Sequence, residues 1–301
     1  MPGEPLVALA TCRDLPELDP DEQLLLAPLA AAGVAATVAV WDDPDADWTR
    51  FDLVVIRSTW DYIERRDAFV DWARSVERLA NPADVIAWNT DKRYLRELAA
   101  AGLPVVDTAW IEPGDEFALP HTGEVVLKPA ISAGSLDTGR YDLGRADHQR
   151  LAVAHVERLL DAGRTVMVQP YLAAVDVDGE RALLVVGGAY SHSVSKGAML
   201  TGPAETTAEL YRAETIMPRT ATDGEVALAL STLAAVPGGS DRLLYARVDL
   251  IDDADGTPRV LEVELTEPSM FMGQAPGSAE RFAAAIAAAA RSTTGQRWVR
   301  S

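Results

Sequence analysis

Two pairs of ionisable side chains in the stretch 245–271 fall at spacings of two: Arg247 with Asp249, and Glu262 with Glu264. Strand side chains alternate between faces, so each pair shares one face. Val248 and Leu250, and likewise Leu261, Val263 and Leu265, take the opposite face. The intervening DDADGTP is rich in turn formers and reads as the loop of a hairpin. If the two strands pair, one arginine and three carboxylates crowd together. Carboxylates so placed repel one another unless a positive charge lies between them. Mg²⁺ supplies that charge with few protein ligands when nucleotide phosphates complete its shell. A solvated hairpin face is the competing reading for the two glutamates. A calcium loop does not fit, because DDADG lacks the alternating ligands and the closing glutamate.

A metal–phosphate site also needs cations aimed at phosphate. Of the 27 lysines and arginines only Lys92, Lys128 and Lys196 are lysine. A chain that otherwise writes arginine has kept a compact ammonium at three places, whereas chance retention would scatter lysines over exposed helices. Lys92 follows Asn89-Thr90-Asp91, a cap for a helix running to Ala101 and stopped by Gly102. Lys128 ends the strand EVVLKP and precedes AISAGSLDTG. There Ser132, Ala133, Gly134 and Ser135 form a small-residue turn whose amides could cradle phosphate. The turn matches neither GxxxxGK[ST] nor GxGxxG, which excludes a Walker loop and a dinucleotide fingerprint. Lys196 closes a hairpin of 180–187 with 190–195, broken at Gly187-Gly188 and carrying Arg181 and His192.

The elements that must position these groups begin with a buried strand, PLVALATC. A helix over 19–32, a strand over 35–41, the strand FDLVVIR, a helix over 67–79 and a short strand over 85–88 follow. Strands alternating with helices imply a parallel sheet, with ligands beyond the carboxyl ends of its strands. At one such end Arg57 and Asp61 could meet a zwitterionic substrate, with Trp60 and Tyr62 lining its pocket. An internal ion pair with aromatic packing competes with that reading. Cys12, with no histidine near it in sequence, reads as a small buried residue. Extended chain over 103–110, a helix over 147–162, the strand TVMVQPYL and helices over 222–235 and 278–292 complete the pattern. The residues from Thr293 on are expected to fray. His121, His148 and His155 fall in loop or helix settings and are expected to face water. No two histidines have metal spacing, which argues against zinc.

At 301 residues the chain is long enough for two or three subdomains around a large core. A net charge of −19 argues against nucleic acid or an anionic membrane as partner. The alanine-rich 282–290 is too short to span a bilayer. The opening residues lack the basic region of a signal peptide, and the single Cys12 cannot form an internal disulfide. A cytoplasmic protein is expected.

Lys92 before a helix, EVVLKP with its small-residue loop, TVMVQPYL, and ARVDL followed by LEVEL together resemble the ATP-grasp superfamily, over roughly residues 80–290. The style of GERALLVVGGAYSHSVSK is closer to the glutathione-synthetase-like branch and its cycloserine-forming cyclo-ligase relatives. The resemblance implies an α/β ATP-grasp fold with an N-terminal parallel-sheet α/β domain. Residues 1–90 would be the substrate-side domain, 91–170 the small lid subdomain, and 171–301 the large subdomain with the metal-binding hairpin. It implies ATP and Mg²⁺ as cofactors. Lys92 and Lys128 would hold phosphates, the Ser132, Gly134 and Ser135 turn would close over them, and Gln169, Tyr171 and Leu172 would face adenine. Asp176 would reach the ribose, while Asp249, Glu262 and Glu264 would bind Mg²⁺. The family usually has asparagine where Glu264 stands. Arg247 and Lys196 would act at the transferred phosphoryl group, and Arg57, Asp61, Arg181 and His192 would meet substrate. The implied activity joins a small amino-acid-like carboxylate, activated as an acyl phosphate, to nitrogen, with release of ADP and phosphate. Ring closure of an O-ureido-serine-like substrate in antibiotic biosynthesis, an intermolecular dipeptide-type ligation, an ATP-grasp kinase and a non-catalytic nucleotide-binding module all stay open, as does a homo-oligomer.

Overall fold

The computed structural model describes residues 4–204 and 215–292; the expected fray from Thr293 lies outside the described residues. Strands β1 (Leu6–Thr11), β2 (Ala35–Val40), β3 (Leu53–Ile56) and β4 (Leu79–Ala80) form a parallel sheet in the order β2-β1-β3-β4. Helices α1 (Pro20–Gln23), α2 (Leu26–Ala31) and α3 (Arg66–Ser75) connect them. The single helix expected over 19–32 is therefore two. Pro28 has no N–H to give the Leu24 carbonyl, so one continuous helix would lose that bond. The strand expected at 85–88 is also corrected: those residues lie in α4 (Ala83–Asn89), and β4 precedes them. A four-residue apolar run does not distinguish a buried strand from a buried helix turn.

After α5 (Tyr94–Ala100) come β5 (Ala109–Ile111), β6 (Glu124–Pro129), β7 (Gly139–Asp142), α6 (Ala146–Asp161) and β8 (Val166–Pro170). Their strands make an antiparallel sheet in the order β5-β8-β6-β7, with α6 packed on it through Ala152, Val156 and Leu159. His155 of α6, expected to face water, is buried, and its Nδ1 lies 2.8 Å from the Tyr141 hydroxyl. Burial pushes its pKa down to about 4, so it stays neutral.

The third unit holds α7 (Val175–Asp178), β9 (Glu180–Val186), β10 (Ala189–Lys196), β11 (Ile216–Arg219), α8 (Asp223–Ala234), β12 (Tyr245–Asp252), β13 (Pro258–Glu264) and α9 (Ser278–Arg291). Its sheet is antiparallel in the order β11-β10-β9-β12-β13. The sequence gives α8 a capping box, Thr222 with Glu225, and the two side chains bond each other's backbone. One core cluster joins Val7, Leu9, Leu53 and Val55 of the first sheet to Ala182, Leu184 and Val186 of the third through Phe282 and Ile286 of α9. Buried polar groups fix that joint. Asn81 donates to the carbonyls of Tyr245 (2.9 Å) and Leu265 (2.7 Å) and accepts from the Leu244 amide (2.7 Å). The N-terminal sheet is thereby tied to the base of the β12–β13 hairpin.

Candidate active site

The β12–β13 register places Arg247 opposite Glu264 and Asp249 opposite Glu262, so all four share one face as their spacing requires. A bulge after Asp249 breaks the alternation beyond them. On the other side of β12, β9 and β10 bring Lys196 opposite Glu180, one strand further out. Lys196 Nζ donates to Asp249 Oδ2 at 2.7 Å and pairs with Glu180 Oε2 at 2.8 Å. Arg247 Nε donates to Asp249 Oδ1 at 2.9 Å, and its Nη2 bonds Glu264. Burial alone would raise the Asp249 carboxyl, but Arg247 and Lys196 overcome it and hold its pKa below the usual range.

Lys92 sits in the turn between α4 and α5. Its amide donates to the Ala130 carbonyl at 2.8 Å and its Nζ to the Ser132 carbonyl at 2.6 Å, so backbone and side chain both grip the small-residue turn. The same Nζ lies 3.0 Å from Glu262 Oε1. Gly134 and Ser135 have φ of 58°, in the left-handed region, which Gly134 adopts without steric cost. Glu262 and Glu264 keep 23% and 26% side-chain exposure, at the cleft wall. Against burial, Lys92 and Lys128 hold Glu262 low, whereas burial lifts Glu264 to about 7 despite Arg247.

One cleft gathers these groups. Lys92, Lys128, Ser132, Gly134 and Ser135 line it from one side, and Lys196, Arg247, Glu262 and Glu264 from the other. Gln169, Tyr171 and Leu172 close one end, and Trp60 and Tyr62 also reach the wall. All three lysines of the chain therefore meet in one place. Asp176 stands beside the cleft, accepting from the Tyr171 hydroxyl at 2.6 Å, and Asp249 lies behind Lys196 and Arg247.

Four expected substrate contacts are not brought there. Arg57 is buried against both oxygens of Glu22 at 3.2 Å, with its guanidinium carbon 4.5 Å from the Tyr245 ring centroid. It forms an internal ion pair within the core, as the competing reading allowed, through Nη1 and not through Nη2. Asp61 accepts from Trp41 Nε1 at 2.8 Å and from Arg65 Nη2 at 2.6 Å. Arg181 is taken by Asp252 and by Glu225 (3.2 Å), and its strand neighbours turn it away from the hairpin face. His192 donates from Nε2 to the Met270 carbonyl at 2.8 Å, and burial keeps it neutral.

The D-cycloserine synthetase DcsG N-terminal-domain model matches residues 7–81. Cycloserine biosynthesis protein DcsG of Streptomyces lavendulae is 38% identical over 297 residues, spanning 94% of this chain and 98% of that protein. The chain belongs to the D-cycloserine synthetase family of ATP-grasp ligases. The crystal structure of D-cycloserine synthetase DcsG superposes with a TM-score of 0.83 and 35% identity, covering 95% of this chain and 100% of that one. A D-alanine–D-alanine ligase from Bacillus anthracis complexed with ATP shares the fold at TM-score 0.61 and 14% identity, over 93% and 94% of the two chains. Among the described residues no helix is long and apolar enough to cross a membrane.

ATP with Mg²⁺ is the cofactor pair of ATP-grasp ligases, and the residues present fit it. Lys128 is 8% exposed, and its ammonium has no hydrogen-bond acceptor or ion-pair partner among the described residues. Burial and the neighbouring Lys92 lower its pKa, opposed by Glu262. A phosphate oxygen would supply the missing acceptor. Among the described residues no three metal-ligating side chains gather around one point, because each carboxylate is turned onto a cation. Phosphates would draw off those cations and leave carboxylate oxygens for Mg²⁺, which needs only one or two beside phosphate. The sequence reading missed Glu180, Glu267, Ser269 and Phe271 on the cleft wall. Regular pairing about Gly187-Gly188 would have put Glu180 opposite Ser195, and the bulge between Tyr190 and His192 that shifts it to Lys196 leaves no mark in the spacing; the other three lie past the end of β13, where strand period carries no information.

Proposed function

We propose that this enzyme activates the carboxylate of a small amino acid as an acyl phosphate and closes it onto a nitrogen of the same molecule. O-ureido-serine is the substrate class. Lys92 and Lys128 hold nucleotide phosphates from two sides under the Ser132–Ser135 turn. Gln169, Tyr171 and Leu172 receive the adenine, and Asp176 the ribose. Asp249 and Glu262, with Glu264, hold Mg²⁺, whose chemistry is to offset charge on the phosphates. Arg247 and Lys196 orient the transferred phosphoryl group. Such transfer needs positioning and charge neutralisation more than covalent help from the protein.

The observation that carries the reading is the buried Lys128, unpartnered among the described residues and set against a carboxylate-rich hairpin. Similarity over nearly the whole length to a cycloserine biosynthesis protein supports the substrate class and a place in antibiotic biosynthesis. The division into 1–90, 91–170 and 171–301 is part of the same proposal, supported by one sheet falling within each segment. Intramolecular attack profits from a high effective concentration and needs no second amine site. The test supplies MgATP with O-ureido-serine alone. ADP and phosphate in equal amounts support cyclisation, whereas release that requires an added amine points to intermolecular ligation.

A further inference from the structure

Five carboxyl groups line or back the cleft, and four of them are held by cations of the chain. Asp249 pairs with Lys196 and Arg247, Glu180 with Lys196, Glu262 with Lys92, and Glu264 with Arg247. Glu267 is the exception. It is buried at the cleft wall, and no lysine, arginine or histidine pairs with it among the described residues. Burial raises its pKa and the neighbouring Glu264 adds to the rise, opposed by Lys92 and by the Tyr62 hydroxyl beside it. Among the described residues no directly paired cation offsets the desolvation of this buried carboxyl.

The walls around it are rigid and come from two parts of the chain. Tyr62 stacks on Phe69 at 4.9 Å between centroids, and Phe69 in turn meets Trp41 at 5.2 Å. Trp60 Nε1 donates to the Glu267 carbonyl at 3.2 Å, fastening the 310 turn Trp60–Glu64 to the loop after β13. Two residues on, the Ser269 carbonyl accepts from Arg247 Nη1 at 3.2 Å. Two residues of chain span at most about 7 Å. Glu267 and the arginine assigned to the reacting phosphoryl group thus line the same cleft, linked through this short loop.

We propose that Glu267, seated on Tyr62 and walled by Trp60, binds the α-ammonium of the substrate while its carboxylate faces Arg247. The cleft then selects zwitterionic α-amino acids over simple carboxylic acids. The selection is made by a charge that the N-terminal aromatic turn shields from water. The inference rests on the ligase reading of the same cleft, but its test separates the two.

The experiment measures phosphate release and calorimetric binding in the presence of Mg²⁺ and nucleotide. The probes are O-ureido-serine, serine, alanine and 2,3-diaminopropionate, each beside its des-amino counterpart. The unaltered enzyme should prefer at least one amino acid over its des-amino partner. Glu267→Gln keeps the size and the Tyr62 contact, and should raise KM for that amino acid about 10- to 100-fold, as loss of a charged hydrogen bond does. The des-amino acid should be unaffected, and Glu267→Asp should restore part of the preference. Unchanged nucleotide affinity certifies that the variants are folded. An unchanged amino preference in Glu267→Gln, or binding of no α-amino acid at all, overturns the inference. If serine or diaminopropionate binds with the Glu267 dependence while O-ureido-serine yields no phosphate, the inference stands and the substrate proposal fails.

Discussion

Replacing Lys128 by methionine separates a binding residue from a structural one more sharply than any other change in the cleft. The side chain is buried, and no carboxylate or acceptor is bonded to it among the described residues. Burial is the largest influence on its pKa and lowers it from the ordinary 10.5. The folded state therefore binds fewer protons than the unfolded one between the lowered value and 10.5, and stability rises with pH across that window. Lys128→Met removes the ammonium while keeping most of the stem. Set against the attraction of Glu262 and Glu180, its removal should stabilise the apo protein by on the order of 1 kcal/mol at neutral pH, about 2 °C in Tm. The gain should shrink as pH approaches 10.5. The same change should weaken ATP binding by about 1–3 kcal/mol, the worth of a charge-assisted hydrogen bond. Calorimetry and thermal melts on one preparation read both effects. A variant that melts lower yet binds ATP as tightly as the parent would refute the reasoning.

Lys92→Ala should behave oppositely. It breaks the 3.0 Å pair with Glu262 and the 2.6 Å bond to the Ser132 carbonyl, and should cost about 2–4 kcal/mol in urea unfolding without ligand; a loss below about 0.5 kcal/mol would contradict that. Burial lifts Glu22 from 4.5 to about 7 against the pull of Arg57, so the folded state binds the extra proton and stability falls as pH rises from 4.5 through 7. Glu22→Gln should therefore gain on the parent by at most about 3 kcal/mol between pH 5 and 8. Glu264 and Glu267 should maintain a remaining slope of the same sign; a variant that loses ground as pH rises would show that the carboxylate–Arg57 pair dominates instead.

The hairpin was legible because two independent signals coincide there: period-two spacing fixes the face, and the DDADGTP turn fixes the partner strand. Lysine scarcity located the cleft with no structural information, since an ammonium kept among arginines marks a position where a compact charge is needed. Arg57 misled because the end of a parallel strand is a common ligand position. Its partner, Glu22, lies 35 residues earlier, and local pattern cannot reveal such a pairing. His192 misled for a related reason. A strand histidine between Ser191 and Ser193 reads as polar, yet its acceptor is a carbonyl 78 residues away. Glu267 was invisible because it lies on a loop, where neither period nor turn chemistry assigns a direction to a side chain.

The central claim is that the substrate's own carboxylate takes up the phosphoryl group in this cleft. O-ureido-serine carrying ¹⁸O in both carboxylate oxygens, turned over with unlabelled MgATP in ordinary water, tests it directly. If the acyl phosphate forms, one carboxylate oxygen becomes the bridge to phosphorus. Nitrogen attack at the carbonyl carbon then breaks the carbon–oxygen bond, and that oxygen leaves on phosphate. Mass spectrometry of the phosphate should show one ¹⁸O per molecule released. Phosphate without label would mean that water or another acceptor receives the phosphoryl group, and would contradict carboxylate activation.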